Sequence, residues 1–209
     1  MGKNLAAKCK QCRRLGEKLL LKGERCQSAK CAMVKRNYPP GFHGPKGKKR
    51  LSDFGLQLAE KQKAKKYYQI LEKQFHLTFA KAEKKAGDTG KNFLKLLEMR
   101  LDNVVFRAGI SPSHTGARQL VSHGHITVNG KKVNIPSFTV KPADVIGIKK
   151  KSSNNRYFRP WNEKQKEALS VGWINFDTAS ATAKVLHEPQ DNDLPQNINV
   201  QMIIEYYSK

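Results

Sequence analysis

The sequence predicts an α+β fold in three parts, and three observations indicate it. All four cysteines of the 209-residue chain lie within the first 31 positions. Apolar residues recur at helical spacing between positions 51 and 108. The pair Asn129-Gly130 separates two short runs rich in β-forming residues. We therefore predict a cysteine-held basic segment at 1–45, an all-helical domain at 46–98 that is completed by 197–209, and an α/β domain at 99–196. A small helix–helix–hairpin module occupies about 99–150 of that last domain.

The charge of the chain indicates the class of its partner. Lys and Arg number 40 against 17 Asp and Glu, which gives a net charge of +23. Residues 1–50 carry 15 basic and 2 acidic side chains, whereas residues 151–209 carry 7 of each. A field of this kind attracts phosphate groups. We therefore expect a polyanion as partner; the alternatives are a basic solubility tail and a membrane-surface segment, which the Gly, Pro and Cys content of residues 1–50 disfavours.

The apolar pattern disfavours a membrane or secreted protein. No apolar run approaches the roughly 20 residues that span a bilayer. Residues 1–10 contain no apolar signal segment, so we expect a cytosolic location.

The cysteines form the pattern CxxC, thirteen residues, then CxxxxC, with Cys9, Cys12, Cys26 and Cys31. Two close pairs at this separation are typical of a tetrahedral structural zinc site, which leaves no coordination position open for catalysis. Residues 1–45 contain few apolar side chains, so coordination would replace a core and fix the neighbouring cations in place. One structural Zn²⁺ is the favoured prediction. An iron–sulfur cluster and free thiols remain alternatives, and a reducing cytosol disfavours two disulfides.

The middle of the chain predicts three helices after an extended connector at 37–47. Ser52 is the expected cap of the first helix. The third helix is expected to be continuous, with Thr89 as its cap and Gly109 at its end. The apolar positions of the three helices are Leu51, Phe54 and Leu58; Tyr67, Ile70, Leu71 and Phe75; and Phe93, Leu97, Leu101, Val104, Val105 and Ala108.

A compact α/β module follows. Ser111-Pro112 is expected to open a helix, with proline in the first turn, and Gly124 suits the left-handed C-terminal position. Asn129-Gly130 predicts a tight hairpin between strands at 125–128 and 131–135. A further strand is predicted at 145–148.

Several polar and cationic side chains are candidate contacts to a polyanion. Rigidly held cations and amides can contact phosphates and bases. We rate His123 and His125 as a metal pair or a catalytic base far lower, because no carboxylate or nucleophile lies near them in sequence. In the first two parts of the chain, the candidates are Arg13, Arg14, Lys46, Lys48, Lys49, Arg50, Lys65 and Lys66; in the module they are Arg118, Gln119, Ser122, His123 and His125.

Four stretches make the chain resemble a known family. LSDFGLQLAEKQKAKKYYQILEKQF (51–75), LLEMRLDNVVFRAG (96–109), ARQLVSHGHITVNGKKVNIPS (117–137) and IIEYYSK (203–209) are similar to bacterial-type small-subunit ribosomal protein four. The four-cysteine N-terminus is similar to the zinc-bearing members of that family. The resemblance covers nearly the whole chain and is weakest at 150–185.

The resemblance implies a non-catalytic role in the ribosome. It implies a primary binder of small-subunit rRNA that docks at a helix junction of the 5′ domain, nucleates subunit assembly and contributes to translational accuracy. It also implies contact with ribosomal protein five of the small subunit, near the path by which messenger RNA reaches the decoding site. The expected location is on ribosomes in the cytoplasm, or in an organelle. The RNA-facing positions that it implies are Arg107, Arg118, Gln119, Ser122, His123 and His125.

Three residues depart from the family pattern. His114 stands where the family usually has Arg, so we expect the phosphate contact there to be weaker or absent near neutral pH. Gly116 replaces an acidic or amide residue, at about 1 kcal/mol of helix propensity relative to Ala. Ala143 replaces the glycine of a Pro-Gly-Asp turn, and we expect strain if that turn requires positive φ.

Two other classes of function fit the sequence less well. An RNA-modifying enzyme would need a second large domain with a catalytic pocket, and the sequence shows neither this nor a glycine-rich nucleotide motif. A zinc-finger transcription factor would need the histidine ligands of the ββα finger, which the cysteine pattern lacks. We therefore predict a non-catalytic RNA-binding protein.

Overall fold

The computed structural model describes residues 2, 4–47, 50–153, 171–177 and 180–208. It combines helices with one antiparallel sheet, as the predicted α+β class requires. The chain divides into two compact units, Met1–Phe93 with Pro195–Lys209, and Leu94–Leu194. Within the described ranges, no helix has the length and apolar character needed to cross a bilayer.

The first unit begins with three short helices around a small core. Helix α1 spans Lys8–Leu15 and ends at Gly16, whose φ is 83°. Helices α2 and α3 span Glu24–Gln27 and Ala32–Lys35. The buried cluster between them consists of Cys12, Leu19, Leu21, Cys31 and Met33. Apart from these five, only Leu15 and Tyr67 among the described residues pack against the cluster, so packing alone gives the segment little stability.

The connector at 37–47 is less extended than the sequence predicts. A 3₁₀ helix spans Gly44–Lys46. Gly44 donates its backbone N–H to the carbonyl of Gly41 at 3.1 Å. A Cβ at Gly44 would lie 1.9 Å from the carbonyl oxygen of Pro39, so the close backbone approach requires glycine there.

Helix α4 spans Asp53–Tyr67, and its predicted cap is confirmed. The Ser52 hydroxyl accepts a hydrogen bond from the N–H of Gly55 at 3.3 Å. The second helix does not begin at Tyr67, because Gln69 has a φ of 54° and breaks the chain direction. Helix α5 spans Glu72–Glu83.

A charged cluster joins α4 and α5 to the C-terminal segment. Lys61 and Lys65 bind the two oxygens of Glu72 at 2.8 and 2.7 Å. The hydroxyl of Tyr207 donates to the same carboxylate at 3.0 Å. The Lys61 ammonium also lies 4.3 Å from the ring centre of Tyr206.

The predicted third helix is two helices in the structure. Helix α6 spans Thr89–Glu98 and α7 spans Leu101–Arg107. Arg100 between them is extended and forms a bridge to Thr139, a contact that no local pattern shows. Thr89 is not the cap, since the carboxylate of Asp88 accepts from the N–H groups of Gly90 and Lys91 at 2.7 and 3.2 Å.

The second unit continues with helix α8, which spans His114–Ser122. Its cap is Ser113, which accepts from the N–H of Gly116 at 3.2 Å, so Pro112 precedes the helix instead of lying in its first turn. Gly124 follows with a φ of 71°, as predicted.

The described residues include five strands, which are β1 (Ile126–Val128), β2 (Lys131–Lys132), β3 (Val145–Ile148), β4 (Ile174–Asp177) and β5 (Thr182–Val185). They form one antiparallel sheet in the order β2-β1-β3-β5-β4. Asn129 and Gly130 have φ values of 49° and 77°, so the hairpin turn between β1 and β2 is confirmed. The short helix α9, Lys150–Ser153, follows β3.

One apolar core holds the sheet and α7 together. Trp173, Ile126, Ile146 and Val185 are fully or almost fully buried in it, and so is Val104 of α7. The same core includes buried residues of α8, the helix that carries several predicted contacts of the module.

The last helix belongs to the first unit. Helix α10 spans Val200–Tyr207 and packs on α4. Gln57 donates to Glu205 at 2.9 Å, and the rings of Phe54 and Tyr206 lie 5.6 Å apart. Ile203 is completely buried in this contact.

Candidate nucleic-acid interface

A buried ion-pair network lies where α7 meets α8. The Asp102 carboxylate accepts from Arg100 at 2.9 and 3.0 Å and from Arg118 at 2.8 Å. All three side chains are less than 10% exposed. Burial lowers the pKa of Arg118, and Asp102 opposes that shift. Arg118 is therefore held inside the unit, which argues against the predicted RNA contact at this side chain.

A second ion pair links α7 to the end of α6. Arg107 donates twice to the carboxylate of Glu98, at 2.9 and 2.8 Å, and Glu98 is fully buried. Asn103 donates to the same carboxylate at 2.6 Å. A bidentate pair of this kind uses the guanidinium edge that would otherwise grip a phosphate. The predicted RNA contact at Arg107 therefore competes with an internal one.

His114 does not present a charge to solvent. Its ring is 4% exposed and lies 3.9 Å, centre to centre, from the ring of Phe106. Burial, together with the charge of Arg107, lowers the pKa of His114 to about 3. The side chain is neutral at neutral pH, so the structure argues against the phosphate contact that the sequence suggested at this position.

The remaining candidates of the module are more accessible. Gln119 and His123 are exposed. Ser122 and His125 are half-buried, and they are engaged with the Arg118 carbonyl at 2.8 Å and with the Ser152 hydroxyl at 3.0 Å. The rings of His123 and His125 lie 6.1 Å apart. The surface of the module is thus polar with few arginines.

Sequence reasoning missed the exposed lysines of this unit. Lys131 and Lys132 form strand β2, and Lys132 lies against Gly124 at the end of α8. Lys150 and Lys151 on α9 are also exposed. The paired lysines on either side of the predicted strands were the available signal.

The first unit contains a cavity of about 410 Å³, here named the α1–α4 cavity. It brings together the predicted candidates Arg14, Lys65 and Lys66. Lys10, which the sequence did not single out, lines the same cavity, four positions before Arg14 on α1. Burial lowers the pKa of Lys66, and the charges of Arg14 and Lys65 lower it further. These cations are therefore crowded.

A second cavity of about 450 Å³, the cysteine-side cavity, shares Lys10 with the first. Arg13 at its edge donates to the carbonyl of Tyr38 at 2.9 Å and lies 4.7 Å from that residue's ring centre. Lys46 and Arg50 are exposed elsewhere in the unit, and Lys48 and Lys49 lie outside the described residues. The lining of the cysteine-side cavity is Cys9, Lys10, Arg13, Arg25, Lys30, Ala32, Lys35 and Arg36.

None of the four cysteines is in a disulfide; Cys12 and Cys31 are buried, and Cys9 and Cys26 are half-buried. Burial raises the pKa of Cys12, a backbone hydrogen bond from Leu19 opposes that shift, and the charges of Cys26, Cys9 and Cys31 add to it. The N–H of Lys22 donates to the sulfur of Cys26 at 3.3 Å. Among the residues with described positions, no three potential ligands are arranged as a metal site. The four cysteine sulfurs are nevertheless a set of ligands that suits a soft divalent cation.

Comparison with known proteins gives matches along the chain. Residues 3–98 match the family model described as ribosomal protein S4/S9 N-terminal domain, and residues 99–146 match that of the S4 domain. The chain is 49% identical to small ribosomal subunit protein uS4 of Acetivibrio thermocellus, 48% identical to that of Thermus thermophilus and 49% identical to that of Clostridioides difficile. Each match covers 100% of both chains.

The two family models together cover more than half of the chain, and the relatives match it over its full length. Members of this family are ribosome-bound structural proteins and not enzymes. The chain belongs to the uS4 family of small ribosomal subunit proteins.

Proposed function

We propose that this chain binds small-subunit rRNA chiefly through the cations around the two cavities of its first unit. The main support for this proposal is that Lys10, Arg14 and Lys66 have no salt bridge to any carboxylate among the described residues. Cations that crowd together without acids repel one another, and a phosphate relieves that repulsion. This supports a polyanion as the ligand of the surface.

Affinity then comes from release of counterions as phosphates are neutralised. Selectivity for folded RNA comes from the fixed relation of the cations, because A-form helices are recognised mostly by shape and backbone. In the second unit, Gln119, His123 and Lys132 supply additional polar contacts, while Arg107 and Arg118 hold α7 and α8 in position.

The direct test compares the full chain's affinity for a transcript of the small-subunit rRNA 5′ domain with its affinity for duplex DNA of equal length at matched salt. We expect clearly tighter binding to the transcript, with protection confined to a helix junction in footprinting. Equal affinity for the two nucleic acids would contradict recognition by shape.

We further propose that one structural Zn²⁺ is held by Cys9, Cys12, Cys26 and Cys31, as in zinc-bearing members of the family. The small size of the surrounding core supports this, because coordination would supply stability that packing does not. Elemental analysis should find one zinc per chain. A Cys9→Ser protein should lose both the metal and the order of residues 1–45; its retention of both would contradict the proposal.

The resemblance also supports finer roles. We propose contact with ribosomal protein five of the small subunit and a position near the path of messenger RNA, together with roles in nucleating assembly and in translational accuracy. Reconstitution of small subunits with and without the chain tests the assembly role. Site-directed crosslinking of the assembled particle tests the two contacts.

A further inference from the structure

The α1–α4 cavity differs from the cysteine-side cavity in its lining. The apolar part of its lining, here called the floor, is the exposed side chain of Leu71 with Ala6, Ala7 and Pro40, because Ile70 is only 1% exposed. Lys10, Arg14 and Lys66 contribute cations to the same lining. The cysteine-side cavity has six basic residues and no large apolar side chain in its lining. A purely cationic cavity suits phosphates alone, whereas an apolar floor beneath cations suits a ligand with both a flat apolar part and a phosphate.

The size of the α1–α4 cavity supports the same distinction. Cavities that enclose small organic ligands are typically about 300–1,000 Å³. At about 410 Å³, this one has room for a single nucleotide but not for a stacked run of bases. Lys10 lines both cavities, so the two share one cation.

The polar wall is arranged to leave one amide available. Asn4 and Gln11 bond to each other, with the Gln11 amide donating to Asn4 at 3.2 Å and to the Ala6 carbonyl at 3.1 Å. Gln62 also lines the cavity, and its side chain has no hydrogen bond within the part of the chain that the structure describes. An amide that is both donor and acceptor can pair with a base edge.

We infer that the α1–α4 cavity receives one unstacked nucleotide of the bound RNA, with its base on the floor around Leu71 and its phosphate on Lys10, Arg14 and Lys66. The inference rests on the proposed RNA binding and adds a base-dependent contact to it. Bases that leave a helix are commonly held by stacking and by hydrogen bonds to their edges.

A pair of RNA hairpins tests this with the full chain. One carries a single bulged adenosine, and the other carries an abasic nucleotide at the same position, so that only the base differs. Burying the base against an aliphatic floor should make binding to the adenosine hairpin roughly fivefold tighter. The ratio of the two affinities is the readout, since it cancels the phosphate contacts.

Two leucines on neighbouring surfaces provide matched variants. Leu71 is 42% exposed and lines the cavity, whereas Leu77 on α5 is 46% exposed and does not. We expect Leu71→Ala to reduce the ratio to about one, and Leu77→Ala to leave it unchanged. Thermal unfolding of both variants verifies that each is folded.

The possible results distinguish the nucleotide site from general RNA binding by the chain. If the wild-type protein binds both hairpins equally, or if Leu77→Ala alters the ratio as much as Leu71→Ala, the cavity does not hold a base. In either case the salt-dependent RNA binding stands. Absence of binding to any RNA would overturn both. Displacement of the adenosine hairpin by millimolar 5′-AMP at constant ionic strength would assign the cavity to a free nucleotide and overturn the inference for RNA.

Discussion

Ala143 adopts a left-handed backbone conformation, with a φ of 69°, in the turn between Pro142 and Asp144. The turn is held by the Ala143 N–H, which donates to the Val185 carbonyl at 2.9 Å. The expected strain at this departure from the family pattern is therefore present, since a Cβ disfavours this region by about 1 kcal/mol.

Ala143→Gly should raise the free energy of unfolding of the second unit by about 0.5–1 kcal/mol, because glycine adopts this φ without strain. Thermal or urea unfolding measures the change. The control is Ala183→Gly in strand β5, which should lower stability because Ala183 is buried in the sheet. A less stable Ala143→Gly protein would contradict the account of the turn.

We predict that the stability of the fold depends on pH because His114 is buried. Its pKa in the folded protein is about 3, against 6.5 for an unperturbed histidine. Between these values the unfolded chain binds a proton that the folded chain does not, so stability falls as pH falls. Well between pH 6.5 and about pH 3, the free energy of unfolding should fall by about 1.4 kcal/mol for each unit by which the pH falls.

The measurement compares urea unfolding of wild-type and His114→Phe protein at pH 7, 6 and 5. Phenylalanine keeps a ring against Phe106 and removes the titrating group. The wild type should lose stability relative to the variant as pH falls. Parallel pH curves would show that His114 titrates normally.

At the scale of elements, the junction of α7 and α8 depends on Asp102. Asp102→Ala leaves Arg100 and Arg118 buried without a counterion, and we expect a loss of about 3–5 kcal/mol in the free energy of unfolding. Glu83→Ala, at the exposed end of α5, is the control and should change stability little. Where the Asp102→Ala protein remains folded, its RNA affinity should stay near that of the wild type. A large loss of affinity without a loss of stability would place the network in the interface.

The charged cluster that joins α4, α5 and α10 should also make the stability of the fold depend on pH. Burial raises the pKa of Glu72, but hydrogen bonds from Lys61 and Lys65 outweigh it and lower the pKa to about 2. This carboxylate therefore stabilises the fold above about pH 4.5, and that contribution is lost as pH falls from 4.5 toward 2. Because Glu72 is 46% exposed, screening limits the contribution to about 1 kcal/mol.

Glu72→Gln should lower the free energy of unfolding by about that amount at pH 7 and by much less at pH 2.5. Circular dichroism during urea titration at both pH values measures the difference. A deficit that is equal at both pH values would show that the ionised carboxylate is not the stabilising species.

Local elements could be predicted from the sequence because their determinants are adjacent along the chain. The Ser52 cap and the Asn129-Gly130 turn each depend on two to four consecutive residues. The division between α6 and α7 could not be predicted, because it depends on the distant bridge from Arg100 to Thr139.

The candidate site was predictable in part for the same reason. A basic residue can be recognised from the sequence, but its acidic partner in space cannot. Arg14 and Lys66 lie together in the α1–α4 cavity without a salt bridge among the described residues, whereas Lys65 is paired with Glu72, Arg107 with Glu98 and Arg118 with Asp102. The departure at Ala143 was predictable because the turn is short.

In the molecule as a whole, we propose that RNA affinity comes mainly from the cations of the two cavities and not from the net charge of +23. Two variants of equal charge separate these explanations. One replaces Lys10, Arg14, Lys30 and Lys66 with Gln, and the other replaces the exposed Lys73, Lys81, Lys84 and Lys85 with Gln.

The deciding measurement is the slope of log affinity against log salt concentration for the full chain and the rRNA 5′-domain transcript. Each lost phosphate contact lowers the slope by about 0.7–0.9. We predict that the slope decreases by about 3 in the variant changed at Lys10, Arg14, Lys30 and Lys66. In the variant changed at Lys73, Lys81, Lys84 and Lys85, it should decrease by less than 1. Equal decreases in the two variants would mean that overall charge, and not the cavities, governs binding.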